Sequence, residues 1–112
     1  MSSIAVITVS GRAIEGMPGD VVMVALQDAA LLPAVLVPHE AAVLVNDGFD
    51  ANQVVNLASA LVSVGKPVIE VRAARWDGET PSPLSAACRG VISGFGDAGV
   101  VAAVRLLRSQ SR

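Results

Sequence analysis

The chain has 112 residues, of which 53% are hydrophobic, 16% charged and 3% aromatic, and its formal net charge is −2. The length corresponds to one domain, residues 1–112, and the composition is too apolar for a disordered chain. The charge excludes an extended basic surface for nucleic acid. The positive mean hydropathy of so small a domain predicts that apolar surface is left for a subunit interface.

Membrane insertion and secretion are both disfavoured. The most apolar stretch, Val21 to Val37, includes polar residues and a proline and falls short of the roughly 20 residues that a spanning helix needs. The first residues, Met1 to Ser10, lack the basic leader of a signal peptide, so we expect a cytoplasmic protein. A single cysteine, Cys88, cannot form an internal disulfide or a cysteine metal cluster. We therefore expect no metal site. We also expect no bound cofactor.

The first third of the chain predicts one strand and one helix. Ile4 to Val9 is a β-branched apolar run typical of a strand buried on both faces. Gly11 to Gly19 follows, and the sequence leaves open whether this loop is a lid or a plain connection. From Asp20 to about Leu32 the apolar spacing predicts a helix, with Asp20 as N-cap and Pro33 as its end.

The middle of the chain predicts a second strand and a second helix. Ala42 to Val45 is an apolar run that ends in the turn residues Asn46, Asp47 and Gly48. Asp50 and Gln53 have the spacing of a capping box. The apolar face of the predicted helix consists of Val54, Leu57, Ala58, Leu61 and Val62, and Gly65 and Pro67 end it.

The last third predicts two more strands and a final helix. Pro67 to Val71 is the third strand, Arg72 to Ser85 a loop, Gly90 to Ser93 the fourth strand, and Asp97 to about Arg108 the helix. Strands that alternate with helices indicate a mostly parallel sheet with helices on both faces.

A glycine-rich segment lies between the fourth strand and the last helix. Gly94 to Gly99 fits the G-x-G-x-x-G spacing of a dinucleotide-binding turn. That site also needs an acidic residue at the end of a following strand, and too little of the chain follows Gly99 to form one. The pattern therefore favours glycines that permit a tight turn and close helix packing.

Three ordered segments resemble one enzyme family. Val43 to Phe49, Lys66 to Val71 and Gly90 to Gly99 are similar, in sequence and separation, to segments of type II dehydroquinases (3-dehydroquinate dehydratases). The first of them corresponds to that family's strand ending in Asn-Pro-Gly-Ala-Tyr. The resemblance covers roughly Ala42 to Leu107, and the chain is shorter than members of the family.

The resemblance implies a flavodoxin-like α/β fold. The family's strand order is 2-1-3-4-5, and the missing length predicts the loss of edge strand 2 and one helix. This leaves a three-layer sandwich with a mostly parallel sheet of about four strands, in the order 1-3-4-5, and helices on both faces. Alternatively, Ala34 to Val37 forms a short antiparallel edge strand, since Pro38 to Ala41 is too short for a parallel crossover.

The residues at the family's catalytic positions have changed. Dehydroquinases of this type use a tyrosine-centred base on a lid, an acid histidine and an asparagine that positions a water. The resemblance places Asn46 at the asparagine, but Asn52 and Arg72 stand at histidine positions, and the sequence contains no tyrosine. Loss of one general acid or base typically lowers a rate by about 10²–10⁴-fold, so we do not expect dehydroquinate dehydratase activity.

Polar residues nevertheless cluster in the predicted fold at the carboxyl ends of the strands. This candidate pocket consists of Arg12, Asn46, Asp47, Asp50, Asn52 and Arg72. Arg72 in place of a histidine favours binding of a small carboxylate or phosphate over proton transfer. The competing interpretation is that Asp50 only caps a helix, Asn46 and Asp47 only form a turn, and Arg72 is a surface or interface charge.

His39 and Glu40 are a separate, weaker candidate. His39 is the only histidine of the chain, and the pair is either catalytic or part of a solvated loop.

Two classes of function remain. The first is a dehydroquinase-like pseudoenzyme that acts as a structural or regulatory subunit, either as a homo-oligomer, since the resemblance implies trimers and dodecamers, or with a different protein subunit. The second is a divergent lyase or small-carboxylate-binding enzyme whose site is completed by a neighbouring subunit.

Overall fold

The computed structural model of the chain describes residues 3–9, 11, 14, 16–17, 21–46, 49–72 and 87–110. Within these residues, the strands are β1 Ile4–Thr8, β2 Val21–Ala25, β3 Ala41–Val45, β4 Val68–Arg72 and β5 Gly90–Ser93. The helices are a 3-10 turn at Ala29–Leu31, α1 Leu32–Leu36, α2 Ala51–Val64 and α3 Asp97–Gln110.

The strands form one parallel sheet in the order β2-β1-β3-β4-β5. The sequence-based prediction of a flavodoxin-like α/β fold is confirmed. The predicted count of about four strands, in the order 1-3-4-5, is one strand too low, because the second strand is present. It pairs along the whole of β1, from Ile4 opposite Val21 to Thr8 opposite Ala25.

The prediction of a helix from Asp20 to Leu32 is therefore wrong. Val21–Ala25 is a strand, and Asp20 lies outside the described residues. In this segment almost every residue is apolar, so a helical spacing can be found in it, but its valines favour the extended backbone. Pro33 does not end a helix either; it lies in the first turn of α1, where the missing N–H has no partner to lose.

The chain between β2 and β3 is helical, which excludes the alternative in which Ala34 to Val37 forms an antiparallel edge strand. Parallel pairing of β2 with β1 requires a crossover of about a dozen residues, and residues 9–20 provide that length. The edge strand that we expected to be missing from so short a chain is therefore present. It is formed by Val21–Ala25, within the segment whose apolar spacing predicts a helix.

The sheet separates two apolar layers. On one side, which we call the α3 face, β1, β3 and β4 pack against α3. The buried residues of this face are Ile4, Val6, Ile14, Ala41, Val43, Val45, Ile69, Val71, Val100, Ala103, Val104 and Leu107. With α3 on this side, and α1 and α2 on the other, helices cover both faces of the sheet, as predicted.

The other side, the α2 face, packs against α1 and α2. Its buried residues are Ala5, Ile7, Leu26, Ala29, Leu32, Leu36, Ala42, Leu44, Leu57, Leu61 and Val68. In the described part of the chain, no helix combines the length and apolarity that crossing a membrane requires.

Helix α2 has the predicted boundaries. Asp50 accepts a hydrogen bond from the backbone N–H of Gln53, and the Gln53 side chain accepts one from the backbone N–H of Asp50, which completes the capping box. Gly65 ends the helix in the left-handed conformation, with φ of 74°. Leu57 and Leu61 are buried as expected, whereas Val62 is 73% exposed and lies outside the apolar face.

The glycine-rich segment before α3 has a structural explanation. Gly94 and Gly96 have φ of 82° and 56°, which makes the turn from β5 into the helix. Gly99 lies against the sheet, where an added Cβ would be 3.1 Å from Ile92 Cγ2 and 3.3 Å from Val71 Cγ1. Asp97 in the first turn places a negative charge where a phosphate would bind.

Replacing Gly99 tests this close contact. We expect Gly99→Ala to lower the free energy of unfolding by about 1–2 kcal/mol, because the added methyl group overpacks Ile92 and Val71. Gly90→Ala is the matched control, since its added Cβ meets no atom within 4 Å, and we expect no loss of stability. Urea denaturation measures both; equal stabilities of the two variants would contradict close packing at Gly99.

Candidate functional site

A buried carboxylate organises the carboxyl edge of the sheet. Glu70 is 0% exposed, although it lies in the otherwise apolar strand β4. Residues two apart in a strand point to the same face, so Val68, Glu70 and Arg72 share the α2 face. A charged group in such a position requires partners, because an isolated buried carboxylate is costly.

Two of the predicted pocket residues bind this carboxylate. Asn46 Nδ2 donates to Glu70 Oε2 at 2.7 Å, and Arg72 Nε donates to the same oxygen at 3.1 Å. Asn46 directly follows β3, and its backbone N–H donates to Val71 O, which fixes it beside the end of β4. The Arg72 side chain keeps 21% of its surface exposed. We call these three residues the Glu70 cluster.

The other predicted pocket residues are placed differently. Asp50 and Asn52 are exposed at the start of α2, and the Asp50 carboxylate accepts the hydrogen bond that caps this helix. Arg12 and Asp47 lie outside the described residues. The structure thus brings Asn46 and Arg72 together, and it gives Asp50 the capping role of the competing interpretation.

Glu70 was not among the predicted site residues, although the sequence carries a signal for it. The strand Val-Ile-Glu-Val-Arg contains one acidic residue among apolar neighbours, with an arginine two positions later. In a strand buried on both faces, this spacing predicts an ion pair on one face. Considering the charged residues within predicted strands, and not only those after them, would have found it.

Cys88 lies next to the Glu70 cluster on the α2 face. Burial raises the pKa of its thiol from 9.0 to about 12; the Glu70 carboxylate adds to the rise, and the Arg72 guanidinium opposes it. The thiol is therefore neutral at physiological pH and a poor nucleophile.

His39 and Glu40 lie at the opposite edge of the sheet. They precede β3, whereas Asn46 follows it, and five strand residues span about 17 Å. His39 Nδ1 is 2.7 Å from Ser3 Oγ, and the Glu40 side chain is exposed. This distance separates the only histidine of the chain from the Glu70 cluster.

The backbone around His39 is held by Lys66, the only lysine of the chain. Its Nζ donates to the carbonyl oxygens of Leu36, Val37 and His39 at 2.7, 2.9 and 2.7 Å. All three ammonium protons thus bind backbone oxygens at the end of α1. The contacts of this corner are those of a structural joint between α1, β3 and β4.

Among the described residues, no three His, Cys, Asp or Glu side chains are grouped so that they could hold a metal ion.

Comparison with solved structures shows what this fold is similar to. The fold is similar to that of a 3-dehydroquinate dehydratase-like protein from Bifidobacterium longum, with a TM-score of 0.58 and 18% sequence identity, over 96% of this chain and 98% of the other. No family model and no curated protein matches the sequence. The similarity supports the dehydroquinase-like fold.

The capping role of Asp50 predicts a specific response to substitution. Asp50→Ala removes the acceptor for the Gln53 N–H and should lower the free energy of unfolding by about 1 kcal/mol. Asp50→Ser retains a capping oxygen and should stay within about 0.5 kcal/mol of the parent. Thermal denaturation compares them, and two equally destabilised variants would argue against the cap.

The raised thiol pKa predicts how alkaline pH affects stability. Between pH 9 and 12 the unfolded chain releases the Cys88 proton while the folded chain keeps it. The stabilisation is complete below pH 9 and is lost as the pH rises through this range. We expect Cys88→Ala to lose less stability than the parent between pH 8 and 10.5 in urea denaturation. Identical pH dependences would contradict the raised pKa.

Proposed function

We propose that this chain is a dehydroquinase-like protein without dehydratase activity that serves as a structural or regulatory subunit of a larger assembly. The observation that carries the proposal is the Glu70 cluster. Its polar groups bind one another: Glu70 Oε2 accepts hydrogen bonds from both Asn46 and Arg72. A ligand that bound to Asn46 or to Arg72 would have to displace the buried Glu70 carboxylate from that residue.

The chemistry of the cluster also argues against the family's reaction. The resemblance gives Asn46 the position of a water-binding asparagine, yet its amide donates to a protein carboxylate. Arg72 stands at a histidine position, and a guanidinium does not lose its proton in proteins. The one histidine is at the other edge of the sheet, held against Ser3. These placements leave the described part of the carboxyl edge without a histidine general acid.

A structural role for the cluster follows from its burial. Removing one partner of a buried ion pair typically costs about 3–5 kcal/mol, because the remaining charge is left without compensation. The pair of Glu70 and Arg72 therefore makes the end of β4 dependent on both residues.

Exposed apolar side chains support the role as a subunit. Val37, Val62 and Phe95 are 72%, 73% and 70% exposed. They lie at the end of α1, on α2 and in the turn before α3. Single exposed apolar residues are common on protein surfaces. In this chain several large apolar side chains are exposed, which agrees with the apolar composition of the whole chain.

Binding of a small carboxylate is the second candidate, and one observation favours it. The Arg72 side chain is 21% exposed at the edge where α/β sheets bind ligands, so part of it is in contact with the solvent from which an anion would come. The ion pair with Glu70 lowers the positive charge available there. The two candidates differ in what Arg72 contributes: stability in the first, affinity in the second.

Substitution of Arg72 distinguishes the candidates. Under the proposal, Arg72→Met lowers the free energy of unfolding by about 3 kcal/mol, because Glu70 is left with an uncompensated charge. Arg89→Met is the matched control, since Arg89 is an exposed arginine at the amino edge of the sheet. Urea denaturation measures the loss. A change below about 0.5 kcal/mol in Arg72→Met would remove the structural role of the ion pair.

Ligand binding and turnover complete the test. Calorimetric titration of the parent with 3-dehydroquinate and with inorganic phosphate should give no heat of binding, and 3-dehydroquinate should not be dehydrated. Native mass spectrometry of the protein from its own cells should give an assembly without a bound acid. Turnover, or saturable binding that Arg72→Met abolishes and Arg89→Met retains, would establish the second candidate instead.

A further inference from the structure

Strand β2 is an edge of the sheet, and part of its backbone points away from the protein. It pairs with β1 on one side only. The N–H of Leu26, directly after the strand, donates to Thr8 O and therefore points towards β1. Because backbone groups alternate in direction along a strand, the N–H and C=O groups of Val21, Met23 and Ala25 point outward. Such a row of backbone groups is a template for a further strand.

This edge lacks the features that usually prevent strand pairing. Natural edge strands are often protected by a charged residue, a proline or a bulge. Val21–Ala25 contains no charged residue and no proline, and its pairing with β1 is continuous. Val22 is 44% exposed. The other edge strand, β5, has four residues and begins with Gly90, which weakens a strand. Strand β2 is thus the better suited of the two edges for pairing.

We propose that β2 pairs with β2 of a second copy of this chain, with the two strands antiparallel. A twofold axis perpendicular to the sheet at Met23 places Met23 opposite Met23 of the second copy. It also places Val21 of each copy opposite Ala25 of the other. These are the residues with outward-pointing backbone groups, so each opposing pair exchanges two hydrogen bonds. The contact is isologous and joins the two sheets into one.

The side chains agree with this register. Met23 packs on the α3 face and Val24 on the α2 face, so side chains of both copies stay on the same faces. Val22 of each copy lies opposite Val24 of the other. Every cross-strand pair is apolar, and no like charges meet. A shift by one residue would place outward-pointing backbone groups opposite inward-pointing ones.

The outward backbone groups favour a strand over other occupants. A row of N–H and C=O groups at the spacing of a strand is matched by another extended chain, and not by a helix or a small ligand. Under the twofold axis, the outward groups of β2 match those of an identical strand without a charge or a proline at the contact. The pairing rests on the subunit role proposed above and assigns that role a surface.

A proline at the centre of the contact tests the pairing on purified full-length protein. Met23→Pro removes the N–H that donates across the twofold axis, and an edge strand tolerates proline where the N–H does not bind its neighbour. The parent should dimerise in sedimentation equilibrium, and Met23→Pro should weaken dimerisation by at least about tenfold. Met23→Leu keeps the N–H and is the matched control, with dimerisation unchanged.

Circular dichroism checks that Met23→Pro is folded. If it is not, Val22→Lys replaces it, because a lysine on an exposed edge position opposes pairing without a change in the backbone. We expect Val22→Lys to weaken dimerisation as well.

Disulfide trapping tests the register. In a hydrogen-bonded antiparallel pair the opposing Cα atoms are about 5.5 Å apart, within reach of a disulfide. Met23→Cys should therefore give a covalent dimer on mild oxidation. Val22→Cys is the control, because the two Val22 residues lie on a diagonal about 7–8 Å apart and should not cross-link. The parent, which contains Cys88, gives the background.

The outcomes separate the pairing from the subunit role. A monomeric parent, a folded Met23→Pro variant that dimerises like the parent, or equal cross-linking of Met23→Cys and Val22→Cys would each overturn the pairing. Association beyond the dimer without a disulfide in Met23→Cys would overturn it in favour of β2 pairing with β5 of another copy. A parent that assembles through another surface would overturn the pairing and leave the subunit role intact.

Discussion

Burial of the sheet on both faces is the constraint on which the other features of this fold depend. Strands β1, β3 and β4 lie inside the sheet, with α3 on one side and α1 and α2 on the other. In such strands a polar side chain has no access to water and must bind a partner in the protein. Among the described residues, only Thr8 and Glu70 are both polar and buried. Thr8 Oγ1 accepts from the backbone N–H of Gly11, and Glu70 is held by Asn46 and Arg72.

Most of the fold could be predicted from the sequence because the relevant signals are local. The capping box of Asp50 and Gln53, the terminal Gly65 and the β-branched runs of β1, β3 and β4 each specify an element without knowledge of the rest. Strand β2 could not be predicted in this way. Its segment contains only apolar residues, and what decides between helix and strand is pairing with β1, a contact between residues distant in sequence.

The candidate site shows the same division between local and distant information. The positions of Asn46 and Arg72 at strand ends followed from the predicted topology, and the structure places them together. The cap formed by Asp50 was one of two interpretations that the sequence allowed. The hydrogen bond of Asn46 to Glu70 depends on the register between β3 and β4, in which Leu44 lies opposite Glu70. No pattern in either strand alone specifies that register.

The joint at Lys66 has a consequence for the chemistry of the protein's surface. Acylation of a lysine requires a neutral amine with a free lone pair, and this ammonium gives its three protons to backbone carbonyls. Because the chain has no other lysine side chain, amine-directed reagents and acyl-transferring enzymes meet no reactive lysine while this corner stays closed. The rate at which Lys66 is modified would then report how often α1 separates from the start of β4. Once modified, the side chain could not form its three hydrogen bonds to the backbone carbonyls again.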